Sequence, residues 1–114
     1  MPDPKLEQEI ILLHNRVCYG VADPKRVLIL YALAKGPLCV NELAEELALP
    51  QPAVSRHLRV LRERGLVTTQ RRGPAIYYAL ADRRLIEAMD LLRAVLATQL
   101  AAEQALTQPL SASW

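Results

Sequence analysis

The chain has 114 residues, a length that allows one domain and hardly more. Hydrophobic residues make up 52% of it and charged residues 23%, so we expect a folded core and not a disordered chain. Aromatic residues are only 4% and phenylalanine is absent. Leucine, alanine and valine must therefore fill the core, which favours helices over a β-sandwich.

The sequence also bears on where the protein works. No uncharged stretch approaches the roughly 18 apolar residues that cross a bilayer, and the first residues lack the basic and then apolar pattern of an export signal. We therefore expect a cytoplasmic protein whose two cysteines are kept as thiols.

The net charge is +2, but the positive charge is concentrated in one segment. Between Ser55 and Arg72 the chain has a net charge of +5 and no lysine, whereas the remainder has −3. Planar guanidinium groups pair with phosphates and guanine edges through two hydrogen bonds. Most charge runs are solvated helix faces, but six arginines with one acid favour contact with nucleic acid. They are Arg56, Arg59, Arg62, Arg64, Arg71 and Arg72.

Two helices are predicted in the first 36 residues. The first spans about residues 5–19, because apolar residues recur at helical spacing before Gly20. The second begins at Asp23-Pro24, where Asp can cap free amides and Pro fits the first turn, and it ends before Gly36-Pro37. The apolar stripe of the first helix comprises Leu6, Ile10, Leu13 and Val17.

The segment of about residues 40–64 has the pattern of a helix-turn-helix. A short helix from Val40 ends at Pro50, and Gln51-Pro52 begins a second helix after a very short turn. Spacings of 4 and 3 place three apolar side chains on the buried side of the second helix, which ends at Gly65. These side chains are Val54, Leu58 and Leu61.

From Leu66 to Leu80 the apolar period changes to two, which predicts a β-hairpin. Its strands are residues 66–70 and 75–80, and the turn between them is Arg71-Arg72-Gly73-Pro74. This hairpin, at about residues 66–80, is the expected wing with a basic tip, placed to reach a DNA backbone or minor groove.

A long last helix is predicted at about residues 82–106, capped by Asp82, with residues 107–114 as a loose tail. So small a body cannot cover a helix this long and apolar, so a second copy of the chain is its expected cover. The apolar stripe comprises Leu85, Met89, Leu92, Leu96 and Leu100.

The order of these elements and their motifs resemble the ArsR/SmtB family of winged-helix repressors. The motifs are Asp23-Pro24-Lys25-Arg26, residues 37–44, residues 51–58, the Leu61 to Val67 step and Gly73 to Leu80. The resemblance implies one winged helix-turn-helix domain over residues 1–106, mainly α with a small β-hairpin. It also implies a homodimer through the first and last helices, bound to an inverted-repeat DNA operator and released by an inducer.

Helix geometry and the resemblance together assign the expected DNA contacts. On the recognition helix, Arg56 can pair with guanine and Gln51 with adenine. Ser55 and His57 match family contact positions, although His57 could instead be a helix-packing histidine. Arg62 and Arg64 would touch phosphate or solvent, and the wing arginines would position the DNA. The predicted set is Gln51, Ser55, Arg56, His57, Arg59, Arg71 and Arg72.

The metal sites that the resemblance implies are incomplete in this chain. Where the family's metal sensors have Cys-Val-Cys, this chain has Cys39-Val40-Asn41. No cysteine lies in the last helix, where persulfide sensors of the family have one. Of the four positions that match the family's interhelical zinc site, only the first is a ligand type; the four are Asp82, Arg84, Val95 and Thr98.

Three interpretations of Cys18 and Cys39 stay open. They form a thiol switch that responds to an oxidant or reactive sulfur, or they bind arsenite or a soft metal together with His14. The third is that both are small hydrophobic residues without a role. Cys39 lies three residues before Glu42, in the capping position of the short helix, where free backbone amides favour a thiolate.

Two other classes of function compete with the repressor. A winged-helix module that binds protein would tend to lose basic residues from its recognition face, whereas this chain concentrates them there. An enzyme is disfavoured, because the sequence has no paired carboxylates, no nucleophile with a base and no phosphate-binding glycine loop.

Overall fold

The computed structural model of the chain describes the backbone of residues 3–112 and the side chains of residues 3–106. This part of the chain forms two compact units, which divide between Arg83 and Arg84. The first unit contains four helices and a three-stranded sheet: α1 (Pro4–Leu13, continued by a π-helical turn at His14–Cys18), α2 (Pro24–Leu33), β1 (Leu38–Cys39), α3 (Val40–Leu47), α4 (Gln51–Glu63), β2 (Val67–Arg72) and β3 (Ala75–Leu80). The second unit is the helix α5 (Arg84–Ala112).

Aspartate caps begin α1 and α2, and only the second of them was predicted from the sequence. Asp3 accepts a hydrogen bond from the Lys5 amide at 3.0 Å, and Asp23 accepts one from the Lys25 amide at 2.8 Å. Each aspartate precedes a proline in the first turn. The bond from Lys25 holds the pKa of Asp23 below its usual value.

The core of the first unit lies between α2, α3, α4 and the base of the wing. All three apolar residues predicted for the inner face of α4 are fully buried, so the amphipathic pattern of that helix is confirmed. Close packing of these buried side chains fixes how α4 is rotated about its own axis. The buried side chains are Ile29, Leu30, Ala32, Leu33, Leu43, Ala44, Val54, Leu58, Leu61, Leu66 and Val67.

The sheet has the strand order β1-β3-β2, and both pairings are antiparallel. The sequence did not predict β1, because two residues are too few for a periodic pattern; Cys39 of this strand pairs with Tyr77. The prediction that Arg71 and Arg72 lie in the turn was wrong. Both belong to β2, and Arg72 pairs with Ala75 across a connection of two residues.

That connection is Gly73-Pro74. Gly73 has φ +61, and proline fixes a negative φ at the second position. This combination fits a type II′ turn, whose twist matches the strands that it joins. The wing is therefore a tight hairpin.

Helix α5 begins at Arg84, two residues after the predicted start at Asp82. Its backbone is helical as far as Ala112, whereas the sequence predicted a loose tail from residue 107. Ser113 and Trp114 lie outside the described residues. Alanines, the strongest helix formers, are frequent just before that tail. None of the helices within residues 3–112 combines the length and apolarity that crossing a membrane requires.

Candidate nucleic-acid interface

The outer face of α4 presents polar side chains in a row. Ser55, Arg56 and Arg59 are exposed, as is Gln51 at the first turn. The buried residues on the opposite side hold the helix in place. An exposed helix face with forked donors, supported by a packed core, has the geometry for insertion into a DNA major groove.

The wing adds exposed positive charge next to the turn at Gly73-Pro74. Arg71 and Arg72 are both exposed, and alternation along β2 directs their side chains to opposite faces of the sheet. The guanidinium carbon of Arg72 lies 4.8 Å from the centre of the Tyr77 ring. This cation–π contact restricts the side chain while leaving it at the surface.

His57 differs from the other predicted contacts. It is only partly exposed, and desolvation lowers the pKa of its imidazole from the usual 6.5, with the nearby Asp23 carboxylate opposing that shift. A partly buried ring beside the start of α2, whose charged form is disfavoured, is consistent with a packing role. A DNA contact by His57 stays a prediction.

The structure corrects the prediction that Arg64 touches phosphate or solvent. Arg64 does not face only phosphate or solvent, since its Nη1 donates to the carbonyl oxygen of Asn15 at 2.9 Å. Its guanidinium carbon also lies 4.2 Å from the centre of the Tyr19 ring. The sequence held an indication of this role: Arg64 follows the buried Leu61 by three residues and so lies near the buried side of α4.

The Tyr19 ring has a second cationic neighbour that the sequence did not single out. The guanidinium carbon of Arg26 is 5.6 Å from the ring centre. Its Nε donates to the carbonyl oxygen of Gly20 at 2.8 Å, and its Nη2 donates to that of Tyr19 at 3.0 Å. We call Tyr19, Arg26 and Arg64 the Tyr19 clamp.

The two cysteines lie in separate cavities. Cys18 is exposed and lines a cavity of about 420 Å³ together with His14 and Arg64. Cys39 is partly exposed and lines another of about 330 Å³, which shares no residue with the first. The structure therefore brings His14 and Cys18 together but not Cys39. Within the described residues no three metal-binding side chains cluster, so one protomer does not form the predicted His14, Cys18 and Cys39 group.

Cys39 does occupy the predicted capping position of α3. The Glu42 carboxylate accepts a hydrogen bond from the Cys39 amide at 3.0 Å. This bond, together with one from the thiol, lowers the pKa of Glu42. The capping box is thus confirmed, with cysteine in the place usually taken by serine or threonine.

Comparisons with known proteins agree with this geometry. The family model described as "Bacterial regulatory protein, arsR family" matches residues 23–69. The chain is 46% identical over 89 residues to the transcriptional regulator NmtR of Mycobacterium tuberculosis, covering 78% of this chain and 74% of NmtR. It is 38% identical over 84 residues to the transcriptional repressor SmtB of the same species, covering 74% of this chain and 60% of SmtB.

The chain is also similar to solved structures of winged helix-turn-helix proteins. One match is the homodimeric winged helix-turn-helix DNA-binding domain of Mb0332 from Mycobacterium bovis, with a TM-score of 0.73 and 25% identity. The alignment covers 87% of this chain and 91% of that one.

Proposed function

The chain belongs to the arsR family of bacterial regulatory proteins, and we propose that it works in the cytoplasm as a homodimer that binds an inverted-repeat operator and is released by an inducer. Its class of activity is that of its relatives, which are named transcriptional regulators and repressors: it is a DNA-binding repressor and not an enzyme.

The exposed face of α4 is the observation that carries the proposal. Arg56 can donate two hydrogen bonds to a guanine, and Gln51 can pair with an adenine. Ser55 and Arg59 lie on the same exposed face. The wing arginines would contact phosphates and set the register of the helix in the groove.

Exposed apolar side chains support the homodimer. On α1, Leu6 and Ile10 are 54% and 50% exposed, and on α5, Leu96 and Leu100 are 52% and 53% exposed. Apolar stripes of this length on a single protomer mark a surface that another chain covers. Two copies related by a two-fold axis present two recognition helices, which corresponds to an inverted repeat.

The experiment is a fluorescence anisotropy titration with DNA from upstream of the protein's own gene. We expect Arg56→Ala to lose about 1–3 kcal/mol on the operator, or roughly 5- to 150-fold. Its affinity for random DNA should fall much less. Lys35→Ala is the control: it also removes one positive charge, but from an ion pair with Glu46 outside the recognition helix.

Two results would contradict the proposal. One is binding by the wild type that does not discriminate between operator and random DNA. The other is equal loss of affinity for both DNAs in Arg56→Ala. Absence of any salt-dependent DNA binding would instead favour the winged-helix module that binds protein.

For the inducer, we propose that Cys18 and Cys39 respond separately, because they lie in different cavities. Mass spectrometry after treatment with polysulfide, peroxide or arsenite would identify the modified thiol. Operator affinity measured on the same samples, for wild type, Cys18→Ser and Cys39→Ser, would show whether the modification matters. Unchanged affinity in every modified sample would rule out a thiol sensor.

A further inference from the structure

Helix α1 and its π-helical turn bury no side chain in the first unit. From Pro4 to Cys18, every side chain is at least partly exposed. The contacts that attach this segment to the rest of the unit lie at and just after its end. Gly20 is one of them: a Cβ there would overlap Cδ1 of the buried Leu66, so a larger residue would require the Leu66 side chain to move.

The Tyr19 clamp is the polar part of this attachment. Arg26 holds the carbonyl groups of Tyr19 and Gly20 from α2. Arg64 holds the carbonyl group of Asn15, 49 positions earlier, from the end of α4. The Tyr19 ring lies against both guanidinium groups.

Arg64 is attached directly to the end of the recognition helix. It is the C-terminal capping residue of α4, and its amide donates to the carbonyl oxygen of Val60 at 3.0 Å. Its Nε is buried with no hydrogen-bond partner in the described structure. Since an unpaired buried donor is costly, the contacts that Arg64 makes with Asn15 and Tyr19 must offset that cost. Its orientation is therefore specified by those two residues.

We propose that Arg64 is a positioning residue for operator binding, which transmits the placement of α1 to the recognition helix. The inference rests on the proposed homodimer, in which the partner covers α1. A partner that holds α1 then sets the position of α4 through the Tyr19 clamp. Two such clamps, one in each protomer, fix the separation of the two recognition helices.

The chemistry of the clamp requires arginine. A guanidinium can stack on an aromatic ring and donate in its own plane to a carbonyl oxygen at the same time. Lysine keeps the charge but not this planar fork. Tyr19→Phe keeps the ring and should keep the clamp, whereas Tyr19→Leu removes the ring.

The first test measures the separation of the recognition helices without DNA. A spin label is placed at Ser55→Cys in a Cys18→Ser, Cys39→Ser background, and pulsed electron resonance gives the distance between the two labels of the dimer. We expect a narrow distribution that broadens in Arg64→Ala and, to a lesser extent, in Arg64→Lys. Arg62→Ala is the matched control, because it removes an exposed arginine from the same turn without touching the clamp.

The second test uses operators whose spacer between half-sites is changed by one or two base pairs. We expect the wild type to lose about 100-fold in affinity and Arg64→Ala only about tenfold, a difference in the usual range of coupling between sites. An Arg64 that merely contacted phosphate would lower affinity equally at every spacing, as we expect for Arg62→Ala if it touches the backbone.

The proposal is overturned if Arg64→Ala keeps the narrow distance distribution and the spacing preference of the wild type. It is also overturned if Arg62→Ala broadens the distribution to the same extent. A wild-type protein that gives no intermolecular distance at all would show that the homodimer, and not the role of Arg64, is wrong. Arg64→Lys and Tyr19→Leu keep the test valid if Arg64→Ala does not fold.

Discussion

The dimer surface on α1 can be tested with one pair of isoleucines. Ile10 on α1 and Ile76 on β3 are the same residue type, 50% and 44% exposed in the protomer. Only Ile10 lies in the apolar stripe assigned to the dimer. The two alanine variants therefore remove the same atoms from similarly accessible positions.

The expected loss follows from the exposed fraction. Complete burial of an isoleucine side chain is worth about 1.5–3 kcal/mol, and half of that surface is still available to a partner. Each protomer would then contribute about 1 kcal/mol at this position, and the dimer about 2 kcal/mol. That free energy corresponds to a roughly 30-fold increase in the dimer dissociation constant of Ile10→Ala.

Sedimentation velocity over a dilution series measures this constant. We expect Ile76→Ala to dimerise like the wild type. The assignment of α1 to the interface is refuted if Ile10→Ala dimerises as tightly as the wild type, or if both variants weaken the dimer equally.

Three further changes have defined outcomes. Arg71→Ala should reduce the slope of log affinity against log salt by about 1, on operator and random DNA alike; an unchanged slope would remove the wing from the interface. Gly65 has φ +77, so Gly65→Ala should cost about 1–2 kcal/mol in urea unfolding, and an unaltered midpoint would contradict that strain. Because burial lowers the pKa of His57 from 6.5, the folded state binds its proton less readily than the unfolded state. The contribution of His57 to the free energy of unfolding should therefore be fully present above pH 6.5 and should decrease as the pH falls below it. His57→Gln should remove this decline in pH-dependent unfolding and His14→Gln should keep it; a decline that survives in His57→Gln would point to another group.

The sequence predicted those elements whose pattern is local. The apolar spacing of α4, the Asp-Pro start of α2 and the capping box at Cys39 each depend on residues within one or two turns, and the structure has all three. The family resemblance then supplied the order of the elements. The DNA contacts along α4 are exposed as expected, except for the partly buried His57, and their roles stay predictions.

Features that depend on distant partners were not predictable in this way. Strand β1 exists because Leu38 and Cys39 pair with Tyr78 and Tyr77, and two residues have no period of their own. The contact of Arg64 with Asn15 joins positions 49 apart. The arginine count grouped Arg64 with the side chains expected to face DNA. Its contacts with Asn15 and Tyr19 show instead that it attaches the end of the first helix to α4.

The turn at Gly73-Pro74 has a consequence for how DNA is chosen. A longer, flexible wing would lose about 1–2 kcal/mol of conformational freedom for each residue that became ordered against a phosphate. In this chain that loss is incurred during folding, so it would not reduce the affinity that the proposed phosphate contacts of Arg71 and Arg72 add. A connection of only two residues would also limit how far the wing could follow grooves of different width. If the proposed wing contacts form, the DNA would have to adapt to the wing, and sequences that deform at low cost beside it would be favoured at positions that no side chain contacts.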